Sequence, residues 1–353
     1  MQPITGKAAV HRVLHAGGSG RAAGGVSPAE RTRRIRKKVN IMAQRKYQYI
    51  YGPVPSRRLG LSLGVDLVPF KTCSYNCIYC QLGRTKTTTV ERKEYIPGEG
   101  VTDEIEAWLE EGAAADYITM SGSGEPTLNS KIGDIIRKTK KMTDIPVAVI
   151  TNGSLLSRQE VREGLAQADL VVPSLDAGSP GLFRYINRPD PAVEYKDMVS
   201  GLVDFSEMFK GDIWVEVFLV YPANTFEKDL KELKMILDRI KCDKIHLNTC
   251  ARPPAESYAD KTPREKIQLA LDIIGEKAEA VIPFDREMQD KTKSLISEAM
   301  IVNLLERRPC SLEDIASSFQ TSPNEVLKYL TPLIDNGKVS IEDQETQRFY
   351  KAG

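Results

Sequence analysis

The sequence predicts an α/β protein in which six strand–helix units form a partial (β/α)6 TIM-like barrel, followed by a small C-terminal domain. Between about residues 60 and 285, short runs rich in β-forming residues alternate with longer stretches of helical period, as in parallel α/β folds. The predicted strands end in small, polar or charged residues, which is where barrel enzymes place their chemistry. After about residue 290 the pattern changes to short helices.

Each unit pairs a predicted strand with the helix that follows it. The strands are predicted over residues 62–68, 116–121, 147–151, 170–174, 213–221 and 244–249, and the helices over residues 102–111, 131–141, 157–167, 193–208, 226–239 and 263–274. We assign residues 46–288 to this barrel and residues 289–353 to the C-terminal domain.

Polar motifs occur at the ends of three successive strands: "SGSGEPT", "TNGS" and "SLD". Each motif alone is typical of a turn or a helix N-cap. Because parallel strands end at one edge of a barrel, the three motifs together predict a single binding mouth. They contribute Gly122, Ser123, Gly124, Glu125, Thr151, Asn152, Gly153, Ser174 and Asp176.

Alternation within the last two predicted strands indicates which side chains face inward. One set in "DIWVEVFLVY" is purely aliphatic and should face the outer helices, which places Glu216 inside the barrel. A carboxylate in mid-strand must be paired or solvated, so Glu216 either pairs with an arginine inside the barrel or contacts a ligand. The predicted inward residues are Trp214, Glu216, Phe218, His246, Asn248 and Cys250.

Composition limits the classes of protein to consider. The chain has 41% hydrophobic and 27% charged residues, which is ordinary for a globular protein, and it contains no apolar run long enough to span a membrane. We therefore expect a cytosolic protein with no membrane association. Residues 1–45 carry ten Lys and Arg against one acid, so the remainder is acidic by about eight charges, which argues against strong non-specific attraction to nucleic acid.

The basic segment at residues 1–45 is rich in Gly, Ala and Arg and has no sustained apolar periodicity. We expect disorder there. The segment is either a nucleic-acid-binding arm or a dispensable extension upstream of an internal start at Met42, and composition favours the second interpretation.

The C-terminal domain is predicted to contain three helices and a hairpin, over residues 293–307, 311–319, 323–336 and 338–351. This order resembles a winged helix, which often binds DNA through its third helix. Here that helix offers only Lys328 as a basic residue, and residues 293–351 carry seven basic against nine acidic side chains. A protein-contacting or structural role is therefore favoured over DNA reading.

Three of the six cysteines, Cys73, Cys77 and Cys80, lie in "KTCSYNCIYCQLG" with the spacing C-x3-C-x2-C. Disulfides would leave an odd cysteine in a chain that we expect to be cytosolic. Structural zinc takes four closed ligands, and no histidine is placed to complete such a set. An iron–sulfur cluster suits these thiols, and with only three of them one iron would keep an open position for a small molecule.

The spacing, with Tyr79 directly before the third cysteine, resembles the signature of the radical S-adenosylmethionine (SAM) superfamily. The resemblance covers about residues 48–285, because the strand-end motifs follow in the expected order. It implies a barrel of the radical SAM type in which Cys73, Cys77 and Cys80 hold a [4Fe-4S] cluster. SAM would bind the open iron through its amino and carboxylate groups.

The resemblance also implies roles for the strand-end residues. Residues 122–125 match the glycine-rich motif that contacts the methionyl ammonium, with Glu125 as the negative partner. Tyr79 would lie near the adenine or shield the cluster from solvent. The other candidates for binding the cofactor, at positions matching polar contacts to ribose and carboxylate or beside the mouth, are Thr151, Asn152, Gly153, Ser174, Asp176 and Asn248.

Residues 51–83 and 247–256 resemble, more narrowly, radical SAM proteins related to the tRNA wyosine-forming enzymes. Those enzymes use a second cluster, whereas this chain has no cysteine before Cys73, so the resemblance does not imply the same tRNA reaction. Arg57 and Arg58 are candidates to bind an anionic substrate or the SAM carboxylate, and a surface salt bridge is an equally good explanation.

The leading hypothesis is an enzyme in which reductive cleavage of SAM yields methionine and a 5′-deoxyadenosyl radical, which abstracts hydrogen from a substrate near Glu216, Cys250 and Arg252. Cys250 would donate a hydrogen atom or ligate a metal, although a small buried thiol is commoner. A ferredoxin- or flavodoxin-like protein is the expected electron donor. RNA is the first substrate hypothesis and a protein or small metabolite the second. The third alternative is a non-enzymatic, metal-binding winged-helix regulator.

Overall fold

The structure, a computed structural model, describes residues 47–250, 252–281, 296–319, 321, 323–344 and 347–353. The basic segment at residues 1–45 and the predicted domain boundary at residues 288 and 289 lie outside the described residues. Both therefore stay predictions.

The main domain is built on a sheet of eight strands: β1 (Ile50–Ser56), β2 (Gly60–Val65), β3 (Tyr117–Met120), β4 (Val147–Thr151), β5 (Leu170–Pro173), β6 (Asp212–Leu219), β7 (Lys244–Thr249) and β8 (Ala278–Ala280). The strands are hydrogen-bonded in chain order. The first pair is antiparallel and all later neighbours are parallel. Sequential order is typical of a barrel-type sheet, whereas a doubly wound sheet reverses direction. The predicted partial barrel is confirmed.

Helices follow the parallel strands and cover the sheet: α1 (Gly98–Glu110), α2 (Ile132–Met142), α3 (Gln159–Leu165), α4 (Pro180–Ile186), α5 (Tyr195–Met208), α6 (Glu227–Leu237) and α7 (Arg264–Ile274). The six predicted strands correspond to β2 through β7, and all helices except α4 were predicted. In the described part of the chain, no helix is both long and apolar enough to cross a membrane.

Strand β1 was not predicted, because its sequence contains Gly52, Pro53 and Pro55. Proline lacks the N–H that a ladder needs and is tolerated mainly at an edge or a bulge. Here β1 is the edge strand, and its register with β2 shifts between Tyr51 and Val54. The edge position and this irregularity accommodate residues that would break a central strand.

The alternation predicted for β6 and β7 is confirmed. The aliphatic face of β6 packs in the core under the helices, whereas Trp214 packs with apolar residues of a separate interior group that includes Leu59. Glu216 lies on this interior side, where its partners are Arg58 and Asn248. The inside of the partial barrel therefore combines an apolar layer with a polar one.

The C-terminal elements are α8 (Glu298–Arg307), β9 (Cys310–Ser311), α9 (Leu312–Ser318), α10 (Pro323–Asp335), β10 (Val339–Gln344) and β11 (Gln347–Ala352). They enclose a small apolar core of their own and form a sheet in the order β10-β11-β9. Val54 of β1 packs against that core. The predicted helices and hairpin are present, and their assignment as a winged helix stays a prediction.

Candidate functional site

The three cysteines lie in the cysteine loop, residues 71–83, between β2 and α1. Their thiols are free and partly buried. Burial raises the pKa of the Cys73 thiol to about 12. Burial and the neighbouring Cys80 raise the pKa of Cys77 well above its usual value. Free thiolates are therefore disfavoured, and a bound metal would supply the positive charge that thiolate ligands require.

Each cysteine sulfur receives a hydrogen bond from a different side-chain nitrogen. Such N–H···S bonds stabilise the charge of thiolate ligands and influence the potential of a cluster. No group of three or more His, Cys, Asp or Glu among the described residues is arranged to hold a metal ion. The fit to an iron–sulfur cluster, which is larger than one ion, rests on the cysteine spacing and on these three donors. The bonds are Lys71 Nζ to Cys80 Sγ at 3.2 Å, Asn152 Nδ2 to Cys73 Sγ at 3.6 Å and Asn187 Nδ2 to Cys77 Sγ at 3.6 Å.

Residues 122–125 form a glycine-rich loop after β3 that passes close to the cysteine loop. Gly122 has a φ of +106°, a conformation that favours glycine. A Cβ atom on Gly124 would overlap the backbone oxygen of Thr72. The Glu125 N–H donates to that same oxygen at 3.0 Å. Close backbone approach therefore explains both glycines and fixes the two loops against each other.

Glu125 is a buried carboxylate that joins the ends of β3 and β4. Its Oε1 accepts hydrogen bonds from the Thr127 N–H, the Thr127 hydroxyl and the Thr151 hydroxyl at 3.0, 2.6 and 2.7 Å. Its Oε2 accepts the Asn152 N–H at 2.7 Å. Burial raises the pKa of Glu125 despite these bonds. Since Oε2 accepts only the Asn152 hydrogen bond among the described residues, it has capacity for a further donor such as an incoming ammonium.

The "TNG" motif at the end of β4 is also held by hydrogen bonds to its surroundings. The Asn152 side chain donates to Ser74 Oγ at 2.9 Å and accepts the Ser154 N–H at 2.9 Å. Gly153 has a φ of +75°, and its N–H donates to the Thr151 hydroxyl at 3.1 Å. These bonds attach the end of β4 to the cysteine loop. The contacts with ribose and carboxylate that the sequence implies for this motif stay predictions.

Asp176, beyond the end of β5, organises the other side of the cysteine loop. Its Oδ2 accepts the Tyr79 hydroxyl at 2.5 Å and Asn187 Nδ2 at 2.6 Å, and its Oδ1 accepts the Phe218 N–H at 2.9 Å. Burial raises the pKa of Asp176 to about 6. The Tyr79 ring stacks on Phe218, with 4.0 Å between the centroids. Tyr79 is therefore held in place beside Cys80.

Glu216 is paired inside the partial barrel, as one of the two sequence hypotheses predicted. It forms an ion pair with Arg58 and accepts a hydrogen bond from Asn248 Nδ2 at 2.7 Å. Burial alone would raise the pKa of Glu216, but Arg58 and Asn248 hold it below its usual value. The backbone of Glu216 also bridges to Ser174, which brings this group next to the end of β5.

Arg252 and Cys250 follow β7 but lie in different surroundings. Arg252 Nη1 donates to Gln81 Oε1 at 3.2 Å, and its Nε lies 3.4 Å from Asp314 Oδ2 of α9. Cys250 packs among buried apolar side chains that include Phe218, and burial raises its pKa to about 12. Arg252 thus contacts the cysteine loop through a hydrogen bond, and Cys250 belongs to an apolar cluster that includes Ile78 and Tyr79 of the same loop.

Three side chains that sequence reasoning did not single out belong to this site. Asp66 accepts the Ser123 N–H at 2.7 Å, while Lys71 and Asn187 donate to cysteine sulfurs. Asp66 and Lys71 lie in "DLVPFKTC", which ends at the first cysteine. Their position next to the cysteine motif could have identified them as candidate site residues. Asn187 follows the unpredicted helix α4, and no motif marks it.

Comparison with known proteins identifies the family. The model of the radical SAM superfamily matches residues 67–233. The chain is 35% identical over 228 residues to a UPF0026 protein of Methanocaldococcus jannaschii, a match that covers 64% of this chain and 71% of that protein. It is 40% identical over 301 residues to a Brachyspira hyodysenteriae protein named GTPase Obg. That match covers 84% of this chain but only 44% of the longer Brachyspira protein.

A solved structure of TYW1 with a lysine-pyruvate adduct bound has a TM-score of 0.45 and 17% identity, covering 71% of this chain and 90% of that chain. The match to the Methanocaldococcus jannaschii protein and to the superfamily model shows that the chain belongs to the UPF0026 family within the radical SAM superfamily, whose enzymes use a [4Fe-4S] cluster and SAM.

Proposed function

We propose that this protein cleaves SAM reductively and uses the resulting radical to modify a substrate, with RNA as the first substrate class. The proposal rests above all on the three N–H donors that surround the sulfurs of Cys73, Cys77 and Cys80. When bound, the reduced cluster supplies the electron that cleaves SAM to methionine and a 5′-deoxyadenosyl radical able to abstract hydrogen. A ferredoxin- or flavodoxin-like protein would provide that electron.

The protein's own residues would bind and orient the reactants, since the cofactor carries the difficult chemistry. The three cysteines would ligate three irons and leave the fourth for SAM. Glu125 Oε2, which accepts one hydrogen bond among the described residues, has capacity to accept the methionyl ammonium. The hydrogen bond from Tyr79 to Asp176 supports a role for Tyr79 as a fixed wall of the SAM site.

Two observations bear on the substrate. Residues 51–83 and 247–256 resemble the group related to tRNA wyosine synthesis, which favours RNA. The acidic balance of residues 46–353 favours the second candidate, radical modification of a protein or small metabolite, because broad electrostatic attraction to RNA is absent. Recognition of RNA would therefore depend on a few local basic side chains.

Anaerobic reconstitution with iron and sulfide tests the reaction. The reconstituted protein should absorb broadly near 400 nm and, with dithionite and SAM, release 5′-deoxyadenosine that mass spectrometry detects. A reconstituted cluster that yields no 5′-deoxyadenosine would contradict the proposed activity. Mass spectrometry of RNA nucleosides from deletion and parent cells tests the substrate, and identical nucleoside profiles would favour the protein or small-metabolite alternative.

A further inference from the structure

Three arginines from two distant segments lie near enough to one another for their charges to interact. Arg57 and Arg58 lie in the turn between β1 and β2, and Arg252 follows β7. We propose that these three residues, the arginine site, bind an oxyanion of the substrate, either a phosphate or a carboxylate. The assignment of this anion to the substrate rests on the proposed function, whereas anion binding itself can be measured without any reaction.

Arg58 supplies a fixed wall of the arginine site. It is paired with Glu216, which Asn248 also holds through a hydrogen bond of 2.7 Å. The Arg58 side chain is only 15% exposed. The charge of Arg58 is therefore balanced by Glu216. This pairing reduces the repulsion between Arg58 and the other two arginines, Arg57 and Arg252.

Arg252 keeps unused hydrogen-bonding capacity. Its side chain is 8% exposed, and Nε lies 3.4 Å from Asp314 Oδ2. That approach lacks hydrogen-bond geometry, so Nε is a buried donor without a hydrogen-bond partner among the described residues. A buried N–H without a partner is unfavourable, and an incoming acceptor would remove that penalty.

Arg57 provides the unbalanced charge. No hydrogen bond or ion pair of Arg57 occurs within the part of the chain that the structure describes. Burial, followed by the nearby charges of Arg252 and Arg58, lowers the pKa of Arg57 to about 10. Arg308 also lies near Arg252, so guanidinium groups outnumber the carboxylates of Glu216 and Asp314 here. An oxyanion would offset this excess of positive charge through charge-assisted hydrogen bonds.

The arginine site also lies next to the proposed cofactor site. Arg252 Nη1 donates to Gln81 Oε1 at 3.2 Å, and Gln81 directly follows Cys80. On the other side, the backbone oxygen of Glu216 accepts the Leu175 N–H at 2.9 Å, next to Asp176. An anion held here would bring the molecule that carries it to the cysteine loop, as a substrate requires.

Anion binding can be measured on the full chain with its cluster reconstituted, anaerobically and without reductant. Phosphate, pyrophosphate, acetate and citrate would be titrated by calorimetry against chloride at matched ionic strength. We expect saturable binding that Arg57→Gln weakens by about tenfold or more, as loss of a charge-assisted bond predicts. Preference for phosphate and pyrophosphate would indicate a phosphorylated substrate, and preference for acetate and citrate a carboxylate.

Matched variants separate binding from folding. Arg57→Lys should retain part of the affinity, and Arg137→Gln, an exposed arginine of α2 paired with Asp134, should retain all of it. Because Arg57 is repelled by its neighbours, Arg57→Gln should not lower the unfolding temperature, whereas removal of a structural arginine would lower it. The proposal would be overturned if the anions bind no more saturably than chloride does. It would also be overturned if wild type and Arg57→Gln bind them with equal affinity.

A last titration decides whether the site belongs to the substrate or to SAM, which has a carboxylate of its own. Addition of SAM should leave the affinity for phosphate or acetate unchanged. Competition between SAM and these anions would overturn the assignment to the substrate. Production of 5′-deoxyadenosine without anion binding would reject the arginine site alone, and anion binding without 5′-deoxyadenosine would reject the proposed reaction alone.

Discussion

Arg307, the last residue of α8, forms an ion pair with Asp66, the residue that follows β2. The other carboxylate oxygen of Asp66 accepts the Ser123 N–H at 2.7 Å. The Arg307 guanidinium also lies 4.4 Å from the centroid of the Tyr51 ring in β1. One buried carboxylate therefore connects the C-terminal elements with the glycine-rich loop that we expect to bind SAM.

Replacing Arg307 should weaken SAM binding although the residue is remote in sequence from every SAM motif. In Arg307→Ala, Asp66 keeps a buried charge without its partner, so the loop at Ser123 loses support. We expect affinity for SAM to fall roughly three- to tenfold, the range for loss of one supporting charged contact. Calorimetric titration of the reconstituted protein measures it. Arg348→Ala, on the exposed hairpin, is the control, and equal affinity in both variants would contradict the link.

The fold was predictable where the physical signal is local. The aliphatic alternation of Ile213, Val215 and Val217 determined the orientation of β6, because strand periodicity follows from the backbone alone. The edge strand β1 was missed because Pro53 and Pro55 argue against a strand unless its edge position is known.

The candidate site was only partly predictable, since its hydrogen bonds join residues far apart in sequence. Cysteine spacing indicates the ligands, but it contains no information that Asn187 lies within 3.6 Å of Cys77 Sγ. The pairing of Arg58 with Glu216, 158 positions apart, likewise needs the folded chain. The position of Glu216 in mid-strand predicts that it has a partner, and the structure shows that the partners are Arg58 and Asn248.

Each cysteine of the cysteine loop should be required for cluster assembly. Cys73→Ala, Cys77→Ala and Cys80→Ala should lose most of the absorption near 400 nm after reconstitution and all formation of 5′-deoxyadenosine, because two thiolates hold a four-iron cluster poorly. Iron content and absorption spectra measure the loss. Cys242→Ala, which removes a buried thiol packed in the main core, should keep the cluster. Full iron content in any of the three loop variants would contradict the ligand assignment.

Lys71 should set the reduction potential of the cluster. Its ammonium lies 3.2 Å from Cys80 Sγ, and a cationic donor at a thiolate favours the reduced, more negative cluster. Lys71→Met keeps a long side chain without the charge and should lower the midpoint potential. Redox titration followed by electron paramagnetic resonance measures the shift. Lys93→Met removes an exposed charge as the control, and an unchanged potential in Lys71→Met would show that the contact does not tune the cluster.

The ion pair between Arg58 and Glu216 should stabilise the fold in a pH-dependent way. Arg58→Gln leaves an ionised Glu216 buried without its guanidinium, which should lower the free energy of unfolding by about 3–5 kcal/mol at neutral pH. The pKa of Glu216 is lowered in the folded protein, so its stabilising contribution is present above the usual glutamate pKa and is lost as the pH falls through the folded value. Without Arg58, burial raises the pKa of Glu216. The difference between wild type and Arg58→Gln should therefore begin to shrink above the usual glutamate pKa and continue to shrink as the pH falls through the folded wild-type value.

Urea unfolding followed by circular dichroism at pH 7 and pH 4 measures this difference. Arg137→Gln controls for the loss of one positive charge on the surface and should change the free energy of unfolding by less than about 0.5 kcal/mol. The double variant Arg58→Gln/Glu216→Gln removes both charges, so it should recover much of the stability lost in Arg58→Gln. If the double variant is as unstable as Arg58→Gln at pH 7, the unpaired carboxylate of Glu216 does not cause the loss in free energy of unfolding. The loss would then come from the missing packing of the Arg58 side chain.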